Sequence, residues 1–203
     1  MEQLVRQQMI DRAATLFREV GVRLPHEDQL AAELDCTPAE FREAFGSKEM
    51  LLCAVTRHNL ARQRQEHTEL FANLDTPAEC LVGLLRYSLN ELRQAPHYDY
   101  HIMRTHYPLS WQLISEHLRD YMGALLVRFL QGGINQGQFR SHLDARLVAH
   151  IILAQFSLVL NEEIFPPDES NLALVYRNIF EPYVRGLCTP AGLQATTTHF
   201  ERL

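Results

Sequence analysis

Apolar residues along the chain recur at three- and four-residue intervals almost everywhere, and no stretch shows the strict alternation of a half-buried strand. The pattern predicts an all-α protein of about nine helices. The first runs from Gln3 to Val20, with Met9, Ala13, Leu16, Phe17 and Val20 on one face, and stops at Gly21, where a residue without Cβ can take positive φ. Two short helices follow, over about Glu27–Leu34 and Pro38–Ala44. A long fourth starts after Ser47 and reaches about Leu70. The loop 72–75 leads to a fifth that ends before Pro96. His97–Trp111 reads as a short helix with a turn at Pro108. A helix from Leu109 is expected to stop near Gln131, before Gly132-Gly133. Two more cover about His142–Glu163 and Ser170–Leu187, and the polar tail beyond Cys188 is expected to fray.

The organisation is a small N-terminal trio followed by a larger helical body. We divide it at residue 47, into 1–47, whose short second and third helices have helix-turn-helix spacing, and 48–203, with the fourth helix linking them. The tetrapeptide Thr-Pro-Ala-Glu occurs at 37–40 and again at 76–79. In each copy the threonine suits an N-cap, the proline the first helical position, and the glutamate the reach back to the cap amide. Both copies therefore read as helix starters. Leu30, Ala31, Leu34, Cys36, Phe41 and Ala44 are spaced to close two short helices over the first. Asp35 takes the turn, where aspartate tolerates the left-handed region better than most residues. The plainer alternative is a pair of packed helices with no DNA role.

Charge bears on this interpretation. The 203 residues are 46% hydrophobic and carry a formal net charge of −6, which excludes a uniformly basic nucleic-acid coat but not a local contact surface. Residues 1–57 hold seven Lys and Arg against ten Asp and Glu. On the outer side of the third helix, Arg42 is the strong ligand for a base or a phosphate. Glu43 can accept from cytosine N4, and Ala39 can touch a thymine methyl beside Thr37. Lys48, the chain's one lysine, starts the fourth helix, where an ammonium and unsatisfied amides suit a phosphate.

Candidate chemistry in the body is less specific. Arg86, Tyr87 and Asn90 fall near one stripe of the fifth helix. Tyr98, His101, Arg104, Tyr107 and Trp111 come from the histidine-rich stretch. Aromatic walls with a few fixed polar groups suit a small organic effector of unknown identity; the alternative is an ordinary core with wet polar ends. His97 and His101 share a helical face, but no third ligand is well placed, so no metal site or cofactor is assigned. No Ser-His-Asp or Cys-His arrangement can be placed, so no enzyme is expected, and a helical enzyme using the His97/His101 face ranks third among the readings. The four cysteines lack metal or disulfide spacing, the N-terminus lacks an apolar signal region, and no run is long enough to span a membrane, so a reducing cytoplasm is expected. The stretch Leu147–Leu160 is apolar nearly all round. With the last helix it offers a dimer interface of Leu147, Ile151, Phe156 and Val159 against Leu172, Val175, Ile179 and Tyr183. Burial inside one subunit is the alternative.

The order IDRAATLFREVGVRLPHEDQLAAELDCTPAEFREAFGSKEMLLCAV resembles the N-terminal domain of the tetracycline-repressor (TetR) family of transcriptional regulators. Ala13-Ala14, Leu16-Phe17, Gly21, Leu30-Ala31, Phe41, Phe45, Gly46-Ser47-Lys48-Glu49 and Leu51 match the family's usual pattern without a gap. GGINQGQFRSHLDARLVAHIIL is similar to its entry into the penultimate helix, and YVRGLCTPAGL to the close of some members. The resemblance implies a homodimer that presents the third helix of each subunit to a palindromic operator, with a small molecule in the body releasing the DNA. The chain departs from the pattern at His26, Pro38, Glu40 and Arg42. The alternative reading keeps the scaffold but has a head that no longer reads DNA and serves as a ligand- or protein-binding module.

Overall fold

The computed structural model describes residues 3–23, 26–94, 100–166 and 169–201. It is all-α, and among the described residues there is no strand, only an isolated bridge between Phe139 and Cys188. The helices are α1 (Gln3–Val20), α2 (Glu27–Glu33), α3 (Pro38–Phe45), α4 (Lys48–Phe71), α5 (Pro77–Gln94), α6 (Tyr100–His106), α7 (Pro108–Glu116), α8 (Gly123–Asn135), α9 (Ala145–Val159), α10 (Leu172–Leu187) and α11 (Pro190–Phe200), with a π-helical turn at His117–Met122 between α7 and α8. No described helix is long and apolar enough to cross a membrane.

The chain forms two compact units. The first comprises Met1–Arg64 and Ala95–His117, the second Gln65–Gln94 and Leu118–Leu203. In the first, Ala13 and Phe17 of α1, Leu30 and Ala31 of α2, Phe41 and Phe45 of α3 and Leu51, Leu52 and Val55 of α4 close one buried core. Met103, Tyr107 and Trp111 from α6 and α7 pack onto it. In the second, α5 lies against α8, α10 and α11, and α9 against α8 and α10. Its core is built on Leu81, Leu84, Leu89, Phe129, Phe139, Tyr176, Phe180 and Phe200.

Three expectations differ from the structure. Gly132-Gly133 does not end α8, which runs on to Asn135. Gly133 is there for packing, because a Cβ on it would stand 2.3 Å from the Phe139 ring. The left-handed residue past the helix end is Gly137, at φ 70. The tail does not fray either. Thr189 caps α11 by accepting from the Gly192 amide at 3.2 Å, Pro190 takes the first position, and Phe200 is buried. It is a third Thr-Pro-Ala start, without the glutamate, and its apolar anchor arrives only after a long polar run. The helix expected over 109–131 is in fact α7, the π turn and α8 in succession.

Candidate functional site

The helix-turn-helix is made by local rules and then fastened to the core. Thr37 accepts the Glu40 amide through its hydroxyl at 3.2 Å, and the Glu40 carboxylate accepts from the Thr37 amide at 2.7 Å and the Thr37 hydroxyl at 2.8 Å. Those Thr37 bonds hold the Glu40 carboxyl below its ordinary pKa. Asp35 adopts φ 54 in the turn. The Cys36 and Asp35 amides return to the Ala31 and Ala32 carbonyls at 2.9 and 3.1 Å, a glycine-type helix close made by an aspartate whose carboxylate pairs with Arg12. Phe41 and Phe45 point α3 inward, with ring centroids 5.7 Å apart. Thr37, Pro38, Ala39, Arg42 and Glu43 remain exposed on its outer side.

Lys48 does not stand free. It is 9% exposed, and its ammonium lies 5.3 Å from the centroid of the Tyr107 ring. Its amide donates to the Glu27 carboxylate at 3.2 Å, and Ser47 Oγ accepts the Met50 amide at 3.3 Å. The start of α4, expected to offer unsatisfied donors, is thus capped from within. The next residue, Glu49, accepts the Leu109 amide at 2.9 Å at the start of α7. Arg6, not singled out in the sequence, places its guanidinium 5.0 Å from the Phe45 ring at the end of α3 and reaches the Ala44 carbonyl at 3.4 Å.

The effector-side candidates divide between the units. His101, Arg104, Tyr107 and Trp111 belong to the first; Tyr107 and Trp111 pack on its core, and Arg104 is exposed. Arg86, Tyr87 and Asn90 lie on α5 in the second, with Asn90 exposed. Tyr98 and His97 lie outside the described residues. Among the described residues no cluster of three His, Cys, Asp or Glu side chains is set to hold a metal.

Each unit holds buried polar and aromatic contacts that, Tyr87 apart, the sequence did not single out. In the second unit His67 is fully buried, with its ring edge-on to Tyr87 at 4.5 Å and parallel to Tyr121 at 5.8 Å. His67 Nδ1 lies 3.2 Å from the Tyr121 hydroxyl, and the Tyr87 hydroxyl donates to Glu66. In the first unit His117 donates from Nε2 to the Gln63 side-chain oxygen at 2.6 Å. Burial, then the nearby Arg64 charge, lowers the His117 pKa to about 4, so its ring stays neutral. The only sequence signal for these groups is Gln63 and His67 four residues apart on α4, matched by His117 and Tyr121 four apart in the π turn.

On α9, Leu147, Ile151, Ala154 and Leu158 form one exposed stripe, while Val148, Ile152 and Val159 face inward. Val159 is fully buried, so it belongs to the core of its own subunit rather than to a contact surface. Phe156, Leu172, Val175, Ile179 and Tyr183 are half-buried. Leu174 of α10 is 59% exposed. It opens a shallow cleft with Asn178, Pro182 and the Arg177–Glu181–Arg185 ion-pair chain.

This arrangement, a three-helix head followed by a helical body, is the fold of the TetR-family transcriptional regulators. It matches a TetR-family regulator from Agrobacterium tumefaciens at TM-score 0.73 and 18% identity over 92% of this chain and 99% of that one. It matches FadR from Bacillus subtilis, solved with stearoyl-CoA, at 0.68 and 20% over 89% and 98%. It matches the TetR-family PfmR from Thermus thermophilus at 0.63 and 23% over 90% and 100%. At these identities the likeness establishes the fold. No protein-family model matches the sequence, and a comparison with curated proteins finds no match.

Proposed function

We propose that the protein is a ligand-responsive, dimeric transcriptional regulator, a repressor, that binds a palindromic operator through α3 and is released by a small molecule. The observation that carries this reading is the α2–α3 pair. Its inner residues Phe41 and Phe45 are locked into the head core, while Ala39, Arg42 and Glu43 stand exposed on one outer side. A helix fixed this way can enter a major groove without rearranging its support. The division of labour follows: residues 1–47 contact DNA, α4 leads out of the head, and the body holds the effector and the partner subunit. The exposed apolar stripe of α9 and the exposed Leu174 of α10 suit a subunit contact. The effector side draws on Arg86 and Tyr87 of the second unit, and stearoyl-CoA in the Bacillus subtilis regulator illustrates that this fold accommodates an organic ligand.

The test is retardation of fragments from the chain's own promoter region by purified protein. A shifted palindromic fragment is expected, with affinity falling as salt rises, because phosphate contacts release counterions. Arg42→Ala should weaken binding about tenfold or more. If no genomic fragment shifts even at low salt, the head does not read DNA, and the protein- or ligand-binding module becomes the reading.

A further inference from the structure

The head carries more acids than bases, yet half of its ten acids are occupied. Glu40 is held by the Thr37 amide and hydroxyl. Glu27 accepts the Lys48 amide, and Glu49 accepts the Leu109 amide. Asp35 pairs with Arg12, and Asp11 accepts from the Gln7 side chain at 2.8 Å. The Lys48 cation is drawn onto Tyr107. On the outer side of α3, beyond Thr37 in the cap and Pro38, which offers no donor, the side chains left are Ala39, Arg42 and Glu43, at i, i+3 and i+4. Among the described residues neither Arg42 nor Glu43 has a hydrogen-bond or ion-pair partner.

Resting on the reading of the chain as a DNA-binding regulator, we propose that Arg42 and Glu43 are its specificity-determining pair and that they select operator half-sites with G·C pairs facing α3. The chemistry of each side chain restricts what it can meet. Guanidinium only donates, and guanine offers two adjacent acceptors, O6 and N7, in the major groove. An ionised carboxylate only accepts. Cytosine presents N4–H₂ with no acceptor beside it, whereas adenine sets its N7 lone pair next to N6–H₂ and guanine and thymine offer acceptors. Glu43 therefore favours cytosine and disfavours the other bases. Glu40, which by sequence could have competed for the same edges, is withdrawn into the cap. Ala39, one turn earlier, has only a methyl to place against thymine.

The experiment is selection from a random duplex library by the full-length protein and its variants, read by sequencing. Wild type should enrich half-sites with a fixed cytosine and a fixed guanine. Glu43→Gln should move the cytosine position to adenine, since glutamine pairs with N6 and N7, with a change in preference of about tenfold. Glu43→Ala, which removes the acceptor, should flatten that position, and Arg42→Ala should flatten the guanine. Both residues are exposed, so melting curves of the variants should coincide with wild type. Enriched half-sites that stay the same in all three variants, or that carry only A·T pairs opposite α3, overturn the assignment alone. Failure of wild type to enrich any duplex overturns it together with the regulator reading.

Discussion

At the scale of single residues, Gly133 and Gly192 of the second unit are fixed by what touches them. A Cβ on Gly192 would stand 2.0 Å from the Gln138 carbonyl oxygen, a backbone atom held in turn by the Thr189 amide at 2.9 Å. Neither side can retreat, so Gly192→Ala should cost about 3 kcal/mol, measured by urea denaturation. Nothing in the sequence marks this glycine, because the contact joins positions more than fifty apart. Lys48 shows the same limit from the other direction. Its place at a helix start predicts a solvent-facing cation, and the Tyr107 ring, fifty-nine positions on, decides otherwise. Thr37 and Glu40 behave as their local sequence requires, since each is the other's partner three residues away, and the Asp35 turn closes on Ala32, although its carboxylate pairs with Arg12 in α1.

Among the elements, the π turn His117–Met122 holds the clearest pH-sensitive group. His117 has its folded pKa near 4, below the ordinary 6.5, so the native state resists a proton that the unfolded chain accepts. The stability tied to its neutral form is complete above pH 6.5 and is lost as pH falls toward 4, by up to about 3 kcal/mol. His117→Gln should shrink the difference in unfolding free energy between pH 7 and pH 4.5, whatever it does to the level at pH 7. An equal difference in variant and wild type would show that the neutral ring contributes nothing to acid sensitivity. Helix starts were legible because capping is local, and three of them share Thr-Pro-Ala. The π turn was not legible: no sequence signal marks one extra residue in a turn, and its pairing with α4 is tertiary.

At the scale of the molecule, the prediction concerns the α9 stripe. Leu147→Glu combined with Ile151→Glu should yield folded monomers by sedimentation at micromolar concentration, since carboxylates would be buried at a subunit contact. Val159→Ala should leave the assembly alone and lower stability by about 2 kcal/mol, because it opens space inside one subunit. A well-folded wild-type monomer at that concentration would remove the dimer from the proposal. Periodicity predicted an apolar helix needing cover on both sides, but it could not say which side its own subunit covers. That distinction separates Leu147 and Ile151 from Val159.

The sequence by itself determined that the chain is helical, where most helices begin, and that residues 27–45 form a two-helix clamp, because periodicity, capping and turn preference act between neighbours. Tertiary structure decided which charges remain available. Long-range contacts place Glu27 on the Lys48 amide and Lys48 on an aromatic ring, and they seat a polar tail as α11 against α5. The physical reason is range: a cap is settled within one turn, whereas the fate of a charge depends on whatever the fold brings within a few ångströms of it.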